Sequence, residues 1–129
     1  MILVAISGKI DAANADNLLG ARRFRRYLRP GRALVLDLTE VSYLGVQGLC
    51  DLFDLDRQCD NAGVPWSVAT SRSVRLMLRV GDCDHRLPTA GTVLEALQGL
   101  GFDHPTADNR MLRIVREPNS RYGFPRRCL

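Results

Sequence analysis

Leu34-Val-Leu-Asp-Leu-Thr-Glu-Val-Ser-Tyr-Leu-Gly-Val-Gln-Gly-Leu49 is the stretch on which the reading of this chain turns. Residues 34–38 are apolar apart from Asp37 and follow Pro30-Gly31, which predicts a buried strand. Gly45 and Gly48 then punctuate a tight strand-to-helix turn, and Leu49 opens a helical pattern. The turn over 45–48 is expected to be exposed.

The alternation continues on both sides. Upstream, residues 2–6 are a β-type run that Ser7-Gly8-Lys9-Ile10-Asp11 closes. Residues 12–28 predict one helix, with Asp11 or Asn14 placed to cap its first amides and Leu18, Ala21, Phe24 and Leu28 forming an apolar stripe. Downstream, residues 47–62 predict a helix that buries Leu49, Leu52, Phe53 and Cys59 and stops at Gly63, a residue free to turn left-handed. A strand over 64–69 follows, then a Ser71-led helix ending at Gly81, an edge-like segment at 87–89, and a last helix over 92–100 capped by Thr92. Beyond Gly101 the pattern loses its regularity. Residues 111–115 read as one more strand and 118–129 as a poorly ordered tail. Strands alternating with helices at these intervals imply parallel crossover units. Leu18, Leu36, Leu38, Leu52, Phe53, Val68 and Leu78 are the expected core.

The order and spacing of these pieces resemble the STAS domain family, which includes bacterial anti-sigma factor antagonists and the tails of sulfate transporters. Its central pattern is an apolar strand ending in Asp-Leu, an apolar-aromatic pair, then Asp-Ser-Ser/Thr-Gly-Leu. Asp37, Leu38, Val41, Tyr43, Leu44, Gly48 and Leu49 agree with it. Gly8-Lys9-Ile10-Asp11-Ala12-Ala13-Asn14-Ala15 is similar to the family's Gly-Glu-Leu-Asp-x-x-x-Ala stretch, and Thr92-Val93-Leu94-Glu95-Ala96-Leu97 to its closing helix. The resemblance covers residues 2–100. It implies an α/β, STAS-like sandwich: a small mixed, mostly parallel sheet with helices packed on one face. On this view residues 1–101 form the domain and 102–129 a basic, partly disordered extension. The strand that usually opens the family is not seen ahead of Ile2. Either it is dispensed with, or residues 111–115 fill its place, or a second copy supplies an edge. The last option makes residues 1–6 a dimerisation edge.

The agreement fails where the family carries its switch. Gly45 stands at the Asp position, Val46 at the first Ser, and Gln47 at the phosphorylatable Ser or Thr. The resemblance therefore implies a non-catalytic interaction module that binds an anti-sigma factor, in the family often a kinase of the GHKL ATPase type, without a serine phospho-switch. Carried over residue by residue, the binding patch is Asp11, Ser42, Tyr43, Gly45, Val46, Gln47, Gly48 and Leu49. Ser42 and Thr39 are the nearest hydroxyls to the missing switch. A serine before a turn is more often a capping or solvated group than a phosphosite.

Composition fits and limits that reading. The chain has 129 residues, 46% apolar and 25% charged, enough for one domain with a core. Its apolar start is too short for a signal peptide and no run approaches a membrane span, so a cytoplasmic protein with no membrane partner is expected. Four cysteines (Cys50, Cys59, Cys83, Cys128) show no C-x-x-C spacing, and free thiols are expected. Cys50 and Cys59, nine residues apart on one helix, are separated by about 13 Å of axial rise, too far for a disulfide. A redox- or ligand-responsive regulatory module is the alternative. Net charge is +4, carried by arginine with Lys9 the only lysine. Arg22, Arg23, Arg25, Arg26 and Arg29 crowd one segment, and Arg110, Arg113, Arg116, Arg121, Arg126 and Arg127 another. Without an aromatic platform or a helix-turn-helix pattern, such clusters offer nucleic acid only non-specific attraction. Asp82, Asp84 and His85 suggest a metal group, but adjacent loop residues are more often solvated, and no metal or other cofactor is expected. His85 and His104 are not spaced to serve a nucleophile, and Gly45-Val-Gln-Gly48 lacks the length and lysine of a phosphate-cradling loop. No enzymatic chemistry is expected.

Overall fold

The computed structural model describes residues 1–82, 85–101 and 113–119, the last as backbone only, with the side chains of Ala21 and Arg22 also left aside. In chain order it comprises β1 (Ile2–Ile10), α1 (Ala15–Leu19), α2 (Ala21–Phe24) with a 3-10 turn (Arg25–Tyr27), β2 (Leu34–Leu44), α3 (Val46–Ala62), β3 (Trp66–Thr70), α4 (Arg72–Gly81), β4 (Thr89–Ala90), α5 (Val93–Gly99) and β5 (Arg113–Asn119). The strands form one five-stranded sheet in the order β4-β3-β2-β1-β5.

Period-two burial sorts each strand between two apolar clusters. Ile2, Val4, Ile6 and Ile10 of β1, Leu34, Leu36 and Leu38 of β2, and Trp66 and Val68 of β3 join one cluster. Leu18 and Leu19 of α1, Leu49, Leu52, Leu55 and Cys59 of α3, and Val74 and Leu78 of α4 cover it. Met1, Leu3, Val35 and Ala69 lie in the other cluster, closed by Ala96 and Leu97 of α5. The α/β sandwich expected from the sequence is thus the observed architecture, with two corrections. Every pairing among the described strands is parallel, so the sheet is not mixed. The helices do not all share one face, because α5 lies on the other. Parallel strands are apolar on both sides, and helices on one side alone would leave Leu3 and Val35 in water.

Several boundaries move from their expected places. β1 continues to Ile10 instead of closing at Ser7: its register to β2 shifts between Ala5 and Ser7 and again between Gly8 and Lys9, and Gly8 takes φ 90. The single helix expected over 12–28 is broken at Gly20, whose backbone is extended (φ −61, ψ 154). A Cβ at Gly20 would overlap the Asp16 carbonyl oxygen. The apolar stripe survives the break, with Leu18 and Phe24 buried and Leu28 half-buried. α3 ends as expected, at Gly63 with φ 69. Phe53 is only half-buried, not core; the Arg86 guanidinium lies 5.8 Å from its ring centre, and Leu55 takes the buried position.

β5 runs parallel to β1, from Arg113 opposite Ile2 to Asn119 opposite Gly8. Of the three arrangements the sequence leaves open, the C-terminal segment thus takes the place beside β1. β1 is then paired on both sides and residues 1–6 are not a free edge, which corrects the dimerisation edge expected there. Residues 118 and 119, expected in the tail, are part of β5, while 102–112 and 120–129 lie outside the described residues.

Polar ties hold the layers in register. Trp66 Nε1 donates to Asp56 Oδ1 (2.9 Å), joining β3 to α3. Ser71 Oγ donates to the Val41 carbonyl (2.6 Å) and accepts the Val74 amide (3.1 Å), so one hydroxyl caps α4 and anchors it to β2.

Leu36 and Leu52 are fully buried on facing elements. Truncating either to Ala is expected to cost about 2–5 kcal/mol in urea unfolding. A loss within about 0.5 kcal/mol, the range of surface changes, would show that these registers are wrong.

Candidate functional site

Because the strands are parallel, their C-terminal ends share one border of the sheet, where open α/β sheets place their sites. Ile10 of β1 stands opposite Leu44 of β2, and the Gly45 amide donates to the Ile10 carbonyl at 2.8 Å. That bond sets Asp11 beside the turn from Gly45 into α3. The Ser71 tie brings the start of α4 to the same border.

Asp11 is half-buried and organises its loop. Its Oδ1 accepts the Ala13 amide (3.0 Å), and its own amide donates to Asn14 Oδ1 (2.9 Å). Asn14 occupies the N-cap position of α1, yet its side chain makes no cap bond there and donates instead to the Lys9 carbonyl (3.0 Å). The two cap candidates thus staple the end of β1 to α1.

The turn itself is divided. Val46 is 70% exposed and Tyr43 48%, and Ser42 and Gln47 are exposed with them. Gly45, Gly48 and Leu49 are buried, so the expectation that the whole 45–48 turn is exposed holds only at Val46 and Gln47. The glycines are required by close approach. A Cβ on Gly48 would stand 2.5 Å from Leu44 Cδ1 and 3.0 Å from Ile10 Cγ2, and Leu49 fits against Gly81 of α4, where a Cβ would overlap it. Gly48 and Leu49 therefore serve the scaffold, while Ser42, Tyr43, Val46 and Gln47 face outward beside Asp11.

No side chain caps α3, whose N-cap is Gly45. Gln47 lies along the helix, its Nε2 donating to Asp51 Oδ1 at 3.3 Å. Burial pushes the Asp51 carboxyl above its ordinary range; the Gln47 bond draws it down, and Asp16 and Asp54 push it up further. Asp51 Oδ2 is buried without a hydrogen-bond partner among the described residues.

The other candidates of the sequence fall elsewhere. Asp82 is buried, and its two carboxylate oxygens accept the amides of Arg86 (2.9 Å) and Leu87 (3.0 Å), so it orders the loop after α4. Nothing in the local pattern marks that role, since the amides it takes come from a loop with no periodicity. Cys59 is buried under Leu-rich neighbours, and burial, with Asp56 nearby, pushes its thiol up to about 12. Cys50 is exposed. Cys83, Asp84, His104 and Cys128 lie outside the described residues. Arg25 and Arg26 are exposed on the basic segment, Arg26 lying 5.2 Å from the Tyr27 ring centre.

Residues 1–96, which include the turn, α3 and the paired ends of β1 and β2, match the profile of the STAS domain. The chain belongs to the STAS domain family. It is also 36% identical over 103 residues to Osmosensory protein A of Mycobacterium tuberculosis, across 76% of this chain and 63% of that protein. The chain thus spans less than two thirds of the length of that relative. STAS domains are regulatory modules that work through partner proteins. No helix among the described residues of this one is long and apolar enough to cross a membrane.

Two substitutions test this geometry. Gly48→Ala should destabilise the STAS domain: helix propensity favours Ala by about 1 kcal/mol, but overpacking fully buried Leu44 and Ile10 costs about 1–3 kcal/mol. Gly99→Ala, whose added Cβ meets open space, is the control and should be neutral or stabilising. Asp51→Asn should raise the melting temperature at neutral pH. A carboxyl whose folded pKa lies above its unfolded value opposes folding once ionised, so the gain should grow as pH rises through the carboxylate range and vanish below it. Melting curves at pH 3 and pH 7 separate the two cases, and an equal gain at both would rule out the ionisation account.

Proposed function

We propose that this STAS domain is a non-catalytic antagonist that binds an anti-sigma factor and carries no serine phospho-switch in its turn. The observation that carries the reading is the turn before α3. Its exposed surface is Tyr43, Val46 and Gln47, and the position a phosphate would occupy in the family holds an amide folded along the helix onto Asp51. Phosphorylation in the family acts by setting a dianion into a contact surface, where charge and bulk break the complex. Gln47 accepts no phosphate, so the surface around it keeps one charge state, and binding is constitutive unless another input acts. Asp11, held beside the turn by the Gly45–Ile10 bond, extends the same surface. A kinase of the GHKL type is the partner that the family pattern favours. Likeness to a protein named for osmosensing supports a setting in stress-responsive transcription, with the cytoplasm as its place.

Gln47→Glu imitates part of the phosphorylated charge. An acidic group near the start of α3 is favoured by the helix dipole by about 0.3–1 kcal/mol, while the like charge of Asp51 one turn on costs about 0.2–0.5 kcal/mol. The melting temperature should therefore move little while affinity for the anti-sigma factor falls. Calorimetry with the partner recovered from the native host measures both effects against Arg25→Glu on the basic segment. Tight binding by Gln47→Glu together with loss in Arg25→Glu would move the interface to the arginines. Intact mass after incubation with the partner and ATP should show no phosphate on 42–49; a phosphate on Ser42 would mean that the switch is displaced, not lost.

A further inference from the structure

A cavity of about 190 Å³ opens between α4 and the start of β4, lined by Arg75, Leu78, Arg79, Asp82, His85 and Thr89. None of these residues belongs to the turn described above. Arg75 and Arg79 are four residues apart on α4 and so share one face of it. Like charges so placed repel, and among the described residues neither arginine has a carboxylate within ion-pair distance. Asp82, the carboxylate in the lining, has both oxygens bonded to the amides of Arg86 and Leu87, so it shapes the loop and leaves the guanidinium forks unengaged. Two arginines against one carboxylate leave the lining with an excess of positive charge before His85 is counted. Glu95 and Arg75 both reach toward Gly91, and Glu95 Oε2 accepts the Gly91 amide (3.0 Å).

His85 adds a second observation. It is the non-glycine residue with positive φ among those described (φ 53), a conformation that costs of order 1 kcal/mol or more and that concentrates at ligand sites. Its amide donates to the Asp82 carbonyl at 3.0 Å, so the imidazole-bearing residue three positions after Asp82 is tied back to the end of α4. Thr89, an exposed residue, adds a hydroxyl to the lining, and buried Leu78 adds apolar surface. Paired guanidinium forks, an imidazole and a hydroxyl suit a compact oxyanion with several acceptor oxygens. The volume falls below the roughly 300 Å³ at which sites for drug-sized ligands begin, so it admits a phosphate group and little more.

We propose that this cavity binds the phosphate group of a small phosphomonoester, held by Arg75 and Arg79 with His85 and Thr89 completing the ring. Such a site would give a STAS domain without a phosphorylatable turn a non-covalent input through α4, and it does not depend on the partner being an anti-sigma factor.

The test is an amide NMR titration of the isotopically labelled full chain at constant pH and ionic strength, with inorganic phosphate and, separately, ribose 5-phosphate as probes. Saturable shifts confined to residues 75–92 are expected. Arg75→Gln/Arg79→Gln should weaken binding by about ten-fold or more, and Arg79→Lys, which keeps charge but not the fork, by a smaller factor. Arg25→Gln/Arg26→Gln should leave binding unchanged. Tighter binding of ribose 5-phosphate would make a phosphorylated metabolite the ligand; equal binding would make it free phosphate. Shifts that never saturate, or that spread to the Arg25–Arg29 segment, would mean that only general positive charge is felt. Unchanged affinity in a natively folded Arg79→Lys and in the double variant would likewise overturn the site.

Discussion

The parallel ladder between β1 and β2, from Ile2 opposite Leu34 to Ile10 opposite Leu44, is the constraint on which the remaining structure rests. In their first residues both strands are apolar on both faces (Ile2 and Leu3, Leu34 and Val35), so neither can sit at the outside of a two-layer arrangement without exposing large side chains. The two clusters follow from that. Helices α1, α3 and α4 cover the Ile2–Leu36 side, and α5 covers the Leu3–Val35 side. The same pairing leaves the outer side of β1 with unsatisfied backbone groups, and β5 meets them in parallel register. Closure of the sheet around β1 is thus a matter of hydrogen-bond demand as much as of hydrophobic burial.

Ladder and site are joined at one bond. The Gly45 amide on the Ile10 carbonyl fixes where β2 leaves the sheet, and Gly48, two residues into α3, lets the helix lie against Leu44 and Ile10. Packing there permits no side chain, which explains why the glycine of the family pattern persists in a chain whose Asp and hydroxyl positions have changed. Positions 46 and 47 face solvent, so core packing does not select their identity. Exposed Gln47 and buried Gly48 stand on the two sides of one steric boundary.

Charge in this domain divides along similar lines. Several carboxylates are used as structural acceptors: Asp82 for the amides of its loop, Asp56 for the Trp66 indole, Asp37 for the amide and hydroxyl of Thr39. The arginines of α4 are not matched by them. Acidic residues spent inside the fold leave basic surface outside it, and this is the physical setting both for the phosphate cavity and for the general attraction of anions to a chain of net charge +4.

Local pattern was enough to establish the alternation of strands and helices, the stop at Gly63, the caps at Ser71 and Thr92, and most of the core, because each depends on neighbours within a few residues. The family pattern around Asp37–Leu49, with its missing hydroxyl, was likewise legible. Local pattern misjudged what depends on partners distant in sequence. Gly20 interrupts a helix that periodicity joins: its backbone is extended and so close to the Asp16 carbonyl that no Cβ fits, which the apolar stripe does not register. Phe53 has the composition of a core residue but lies beside Arg86, thirty-three positions away. Gly45 and Gly48 read as an open turn, yet they are buried because two strand ends meet beneath them. The place of β5 was one of three possibilities, since a strand's sequence does not say which edge it will satisfy. The cavity at Arg75, Arg79 and His85 has no signature in the sequence. Helix spacing aligns the two arginines, but only the Asp82-ordered loop, folded back onto α4 through bonds to Arg86 and Leu87, carries the imidazole to them.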